Sequence, residues 1–213
     1  MTMRPNQMII GITGLISSGK GTVADTLVEK HNYIKLSFAD KLKDGVATVF
    51  GWDRAMLEGD TVESREWRET VDQFWTNETG REITPRLVLQ EFGTDCMRNG
   101  FYDGIWVSLV KQEIINNPEN NYIIPDVRFA NEIKIIKDLG GEVWNVRRGE
   151  LPEWWGVAIL DNTTNSSLMA KKYPKVHQSE WRWIDTNDKF DFILYNDDTI
   201  ETLYSKVSDE LST

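Results

Sequence analysis

The chain has 213 residues, 40% of them hydrophobic, enough to bury a full core in one domain with or without insertions. A formal net charge of -10 excludes a sequence-independent binder of nucleic-acid polymers, which needs a basic face, but leaves room for a small phosphorylated substrate held by a few arginines. A single cysteine, Cys96, excludes an internal disulfide; His31 and His177 lack structural zinc spacing, and no run reaches the ~18 apolar residues of a membrane span.

The N-terminal MTMRPNQ lacks the apolar core of a signal peptide, so a soluble, unprocessed, cytoplasmic protein is expected. The first element is an apolar run at 8 to 13. It leads directly into GLISSGKGT, Gly14 to Thr22, and then into Val23, Leu27 and Val28 at helical spacing. A buried strand, a glycine-rich loop and a helix start bring backbone N–H groups and a helix N-terminus together on a phosphate. Gly14 and Gly19 let the backbone wrap that phosphate, Ser17 and Ser18 lie within the wrap, and Lys20 reaches the β- and γ-phosphates. Gly21 stands where G-x-x-x-x-G-K-[ST] has its magnesium-binding hydroxyl. The ion is therefore expected mainly on phosphate oxygens and waters, with Thr22 close enough to offer its hydroxyl to a phosphate or to metal-bound water. A dinucleotide loop fits poorly, because G-x-G-x-x-G is absent.

A second buried strand is predicted at 33 to 38, running into SFADKLKD, Ser37 to Asp44. Residues 40 to 118 read as a mostly helical insertion containing ESREWRETVDQFW, with Arg65 and Arg68, and PRLVLQEFGTD, with Arg86, Gln90 and Thr94. Strands follow at 121 to 125 and 142 to 147, separated by a helix through Ile133, Ile136 and Leu139 that stops at GG. PDVR puts Asp126 and Arg128 at the carboxyl end of the first of these strands, where open α/β sheets bind ligands; VRRG puts Arg147 and Arg148 after the second.

The stretch 149 to 180 is polar and tryptophan-rich, with DNTTNSS its most loop-like part and HQSE grouping His177, Ser179 and Glu180 near its end. A strand at 191 to 195 and an amphipathic helix through Ile200, Leu203, Tyr204, Val207 and Leu211 close the chain. This alternation predicts an α/β fold with a parallel sheet and right-handed crossovers. Tryptophans in REWRE, LPEWWG and SEWRW suggest interface or lid packing on one reading and ordinary amphipathic packing on the other.

The GKGT ending resembles that of nucleoside monophosphate kinases such as adenylate kinase. In order, GLISSGKGT, LSFADKLKD, PRLVLQEFGTD leading to IWV, YIIPDVRFANE, GGEVWNVRR and HQSE ahead of LYNDDTIETL resemble the bacteriophage-type deoxynucleoside monophosphate kinases over nearly the whole chain. The LQ-x-x-GTD block and PDVR are the most specific parts.

The resemblance implies transfer of the ATP γ-phosphate, with Mg²⁺, to a deoxynucleoside 5′-monophosphate. It implies a P-loop kinase core of parallel sheet and helices at 7–40, 119–148 and 181–213, a helical acceptor-binding insertion at about 41–118, and a lid at about 149–180. It puts Gly14, Ser17, Ser18, Gly19, Lys20, Gly21 and Thr22 on ATP, and Ser37, Lys41, Arg86, Gln90 and Thr94 at the acceptor. Lys20, Asp126, Arg128 and Arg148 become the catalytic set. Arg65, Arg68 and Arg98 fall outside the match; the roles of these three and of Arg147 and His177, the accepted base, the sugar and any homodimer stay open.

Related P-loop kinases acting on dephospho-coenzyme A or phosphomevalonate share the SFA-like segment and stand as alternatives, as does an ATP-binding interaction module without transfer activity. If the chain is phage-encoded, the compartment is the host cytoplasm.

Overall fold

The computed structural model describes residues 7 to 184 and 190 to 212; the N-terminal MTMRPN, part of the stretch weighed as a signal peptide, lies outside them. The elements in chain order are β1 (Ile9–Thr13), α1 (Lys20–His31), β2 (Ile34–Lys35), α2 (Asp40–Phe50), α3 (Val62–Glu69), α4 (Gln73–Thr79), α5 (Pro85–Gln90), a π-helical segment (Glu91–Asn99), α6 (Ile105–Asn116), β3 (Tyr122–Ile124), α7 (Ala130–Asp138), β4 (Glu142–Arg147), α8 (Trp155–Thr164), α9 (Leu168–Lys172), β5 (Phe192–Tyr195) and α10 (Ile200–Glu210). They fall into two compact units, one formed by Met1–Ser37 with Lys111–Thr213, the other by Phe38–Val110.

The first unit is built on a five-stranded sheet in the order β2-β3-β1-β4-β5, and every pairing is parallel. All five residues of β1 are buried, as expected for a central strand covered on both faces. Ile10 and Ile12 of β1, Ile123 of β3 and Trp144 of β4 pack with Val23 and Leu27 of α1 and Leu203 and Val207 of α10. The helical stripes at 133 to 136 and 203 to 207 face inward as their spacing predicts, while Ile200 stays about half exposed at the start of α10.

Two expectations are corrected here. The strand predicted over 33 to 38 is only Ile34–Lys35, and both residues are exposed. It is an edge strand paired to β3 alone, so burial passes to Tyr33, which tucks into the core. The DNTTNSS stretch is not a loop throughout, since Asp161 to Thr164 form the last turn of α8. Asp161 is buried and accepts from the Ser167 and Met169 N–H groups at 3.2 and 2.6 Å, so a residue type typical of loops serves as a cap for α9.

The second unit packs Val46, Leu57, Ile83 and Val88 against a ring that includes Phe50, Trp52, Trp67 and Trp75. Phe50 stacks on Trp52 at 4.7 Å, and Trp52 meets Trp67 edge-on at 5.8 Å. In the first unit Trp144, Trp181 and Trp183 are buried. Ordinary packing therefore accounts for most of the tryptophans. Three helix starts in the second unit carry side-chain caps: Thr61 for α3, Asp72 for α4, and Thr84 for α5, whose first residue is Pro85.

Candidate active site

In an open parallel sheet the ligand cleft opens at the carboxyl ends of the strands where the strand order reverses. Here that point is the end of β1, whose neighbours β3 and β4 lead in opposite directions across the sheet. The loop Gly14 to Gly19 leaves β1 there and turns through three positive φ angles, 148° at Gly14, 63° at Ser17 and 101° at Gly19. Gly14 cannot carry a side chain, because a Cβ would lie 2.4 Å from the Val146 carbonyl oxygen. Gly19 is restricted similarly, with the Asn196 amide 2.3 Å from where its Cβ would stand.

Asn196, just past β5, donates from Nδ2 to the Ser18 carbonyl at 2.9 Å and fastens the loop from the far side. No side chain caps α1, so its first N–H groups are left for a ligand. The Ser18 hydroxyl is buried and has no hydrogen-bond partner among the described residues. An uncapped helix start and an orphaned hydroxyl inside a glycine-rich turn suit a polyphosphate.

Lys20 folds over this loop, donating from Nζ to the Gly14 and Leu15 carbonyls at 2.7 and 2.6 Å. Burial, and after it the Arg128 charge, lower its pKa from 10.5 to about 8, with the Glu180 carboxylate working in the opposite direction. Lys20, Arg128 and Glu180 therefore share one electrostatic neighbourhood. Arg128 Nη1 donates to Glu180 Oε1 at 2.9 Å.

The segment after β3 is held firmly. Val127 is buried between Asp126 and Arg128. Glu132, on the first turn of α7 and 3% exposed, accepts from the Arg128 and Phe129 N–H groups at 2.7 and 3.0 Å. Ser37 Oγ donates to Asp126 Oδ2 at 2.5 Å, joining a predicted acceptor residue to a predicted catalytic one.

At the end of β4 a buried polar chain reaches the surface. Asn145 Nδ2 donates to Thr13 Oγ1 at 3.0 Å, and Asn145 Oδ1 accepts from Arg147 Nε at 2.7 Å. The Arg147 guanidinium then lies 5.6 Å from the Trp155 ring centre. Arg148 is exposed and borders a narrow cleft with Leu15, Arg147 and Trp155. Of the HQSE group, Glu180 joins the site through Arg128; the Ser179 side chain lies outside the described atoms.

The remaining predicted acceptor residues lie in the second unit. Arg86, Gln90 and Thr94 recur every four residues along α5 and the π-helical segment, and all three are exposed. The Trp106 indole donates to the Gly93 carbonyl at 3.1 Å within the π-helical segment, a geometry frequent at functional sites. Lys41, on the first turn of α2, makes an exposed ion pair with Asp44 at 3.6 Å. Phe50, Trp75, Ile83 and Phe92 line an apolar cavity of about 230 Å³ in the same unit. Glu132, Asn145 and Asn196 support the site as well and carry no motif in the sequence; Asn145 and Asn196 each reach a partner distant along the chain, while Glu132 accepts from groups three and four residues before it.

Residues 54 to 153 match the family described as deoxynucleotide monophosphate kinase. A protein of Acanthamoeba polyphaga mimivirus, provisionally named a deoxynucleotide monophosphate kinase, is 31% identical over 94% of this chain and 94% of its own length. The deoxynucleotide monophosphate kinase of Enterobacteria phage T4 is 22% identical over 95% of this chain and 98% of its own. Among solved structures, a dephospho-CoA kinase from Campylobacter jejuni aligns over 97% of this chain and 96% of its own, with 14% identity and a TM-score of 0.42. With a relative 31% identical over 94% of each chain, the chain belongs to the deoxynucleotide monophosphate kinase family.

Proposed function

We propose that this protein transfers the γ-phosphoryl group of ATP to the 5′-phosphate of a deoxynucleoside monophosphate, giving ADP and the deoxynucleoside diphosphate. The observation that carries this reading is the convergence of Lys20, the open start of α1 and Arg128 at the reversal point of the sheet. The acceptor phosphate has a second pKa near ~6 and is already largely dianionic at neutral pH, so the reaction needs positioning and charge neutralisation more than a general base.

Gly14 to Thr22 would cradle the ATP phosphates, and Lys20 would leave the Gly14 and Leu15 carbonyls to meet them. Arg128 would neutralise charge on the transferring group, and Asp126 would orient a substrate group or metal-bound water. Mg²⁺ accompanying ATP would add Lewis-acid neutralisation of the phosphates. Thr22 and Asp126 are the oxygen donors suited to its waters. The segment 149 to 180, entered through Arg148, would act as a lid that excludes water as a competing acceptor. Ser37, Lys41, Arg86, Gln90 and Thr94 would receive the acceptor nucleotide.

No helix among the described residues is long and apolar enough to cross a membrane. The net charge of -10 suits a small nucleotide better than a nucleic-acid polymer, and both substrates belong to the cytoplasm. An ADP-release assay across deoxynucleoside monophosphates, their ribose counterparts, dephospho-coenzyme A and phosphomevalonate tests the reading. Turnover should appear with one or more deoxynucleotides and be absent with the last two. Turnover confined to either of those would replace this acceptor assignment.

A further inference from the structure

The loop after β5 carries Asn196, Asp197 and Asp198 between the strand and Thr199, the cap of α10. Its backbone is pinned to the end of β4, where the Asn196 N–H donates to the Arg147 carbonyl at 2.8 Å. Both carboxylates are occupied: Asp197 Oδ1 accepts from the Gly149 N–H at 2.7 Å, and Asp198 Oδ2 from Lys206 Nζ at 2.9 Å. Lys206 also donates to the Tyr195 carbonyl at 2.8 Å. With residues 195 to 198 each engaged, the loop is a fixed platform for the Asn196 amide.

That amide reaches the phosphate loop. Asn196 Nδ2 donates to the Ser18 carbonyl at 2.9 Å and lies against Gly19, 2.3 Å from where a Cβ would stand. The Ser18–Gly19 peptide is trans, since no cis bond occurs among the described residues. Its C=O and N–H therefore point in opposite directions. Holding the carbonyl on Asn196 turns the Gly19 N–H away from Asn196, and that N–H donates to no group among the described residues. Glycine tolerates either orientation of the peptide before it, so the backbone alone does not fix this one.

We propose that Asn196 is a positioning residue for phosphoryl transfer: its amide sets the Ser18–Gly19 peptide so that the Gly19 N–H meets a phosphate of ATP. Without the amide, the peptide is free to flip and present its carbonyl to the phosphate instead. This role rests on the kinase reading above but concerns ATP alone. The simpler competing role is a staple that joins β5 to the start of α1.

The test compares wild type with Asn196→Ala, which removes the donor without adding charge, and Asn196→Asp, which keeps the side-chain size but sets a carboxylate against the Ser18 carbonyl. Calorimetric titration measures ATP and, as a probe without phosphates, adenosine. Loss of a charge-assisted contact should weaken ATP about tenfold in Asn196→Ala and up to about a hundredfold in Asn196→Asp. Adenosine affinity and the deoxynucleoside monophosphate KM should stay within about twofold in both. In isotope-labelled protein, the Gly19 amide proton resonance should move downfield when ATP saturates wild type and stay in place in Asn196→Ala, a readout that a staple would not move. A lowered melting temperature with unchanged ATP affinity, or an equal loss for ATP and adenosine, would overturn the positioning role. A wild-type protein that bound ATP but turned over no deoxynucleoside monophosphate would overturn the acceptor reading instead, and the binding titrations would still decide the role of Asn196.

Discussion

Arg128 holds Glu180 at 2.9 Å, linking the loop after β3 to the short helical turn that follows residue 177. The pair is partly exposed, so its direct contribution to stability is small, within about 1 kcal/mol. Its greater consequence is electrostatic, because Glu180 occupies Arg128 Nη1, which on the proposed function would meet a phosphate. Glu180→Gln should free Arg128 and lower the ATP KM several-fold. It should also remove the influence that holds the Lys20 pKa up, moving the alkaline limb of the rate profile to lower pH. A raised KM with an unmoved profile would speak against this role.

Lys20 makes a second pH prediction whose two parts have opposite signs. The free enzyme binds ATP phosphates best with a charged lysine, so kcat/KM for ATP should fall as pH rises through about 8. Folding stability should do the reverse. With the pKa lowered from 10.5 in the unfolded chain to about 8 in the folded one, the unfolded state binds more protons between those values. Stability from this group therefore increases with pH across that window. Chemical denaturation at a series of pH values, with Lys20→Met as the reference lacking the titration, measures the difference.

Much of this site is legible in the sequence. A β-branched run ending in a glycine-rich loop, and PDVR closing another apolar run, are enough to place Lys20 at a helix start and Asp126 and Arg128 just past a strand, because strand period and turn chemistry are local properties. What supports them depends on burial and on partners that the local sequence does not show. Glu132 reads as an ordinary charge in the first turn of a helix, and only the fold shows it buried beneath Arg128. Asn196 is 178 residues from the Ser18 carbonyl it holds. The end of α8 is hidden for a related reason: Asp, Asn and Thr favour loops by propensity, and the tertiary burial of Asp161 overrides that preference.

Glu132 is therefore expected to act as a positioning residue. Glu132→Ala strands two N–H donors and should cost about 1–3 kcal/mol of stability. It should also reduce kcat roughly tenfold by loosening Arg128. Glu132→Gln keeps an acceptor oxygen and should recover most of both losses. Equal damage from the two variants, read by denaturation and steady-state kinetics together, would show that the charge rather than the acceptor geometry matters.

Glycines within the phosphate loop are predicted to differ sharply in tolerance. A Cβ at Gly21 meets nothing within 4 Å, so Gly21→Ser should fold normally, keep activity within about tenfold, and gain a few tenths of a kcal/mol from better helix propensity. Gly14→Ala drives a methyl group against the Val146 carbonyl and into Ser18 Oγ, and should abolish ATP binding. Thermal melts with and without ATP separate the two outcomes: an ATP-induced rise should persist in Gly21→Ser and vanish in Gly14→Ala.

The most direct test follows the phosphoryl group itself. Wild-type protein and Lys20→Ala are incubated with γ-labelled ATP and each common deoxynucleoside monophosphate, and the nucleotide products are separated. The account predicts label in a deoxynucleoside diphosphate with wild type, and a loss of several orders of magnitude in that rate with a Lys20→Ala protein whose melting profile remains cooperative. Label appearing only as inorganic phosphate, or equal transfer by both proteins, would contradict it.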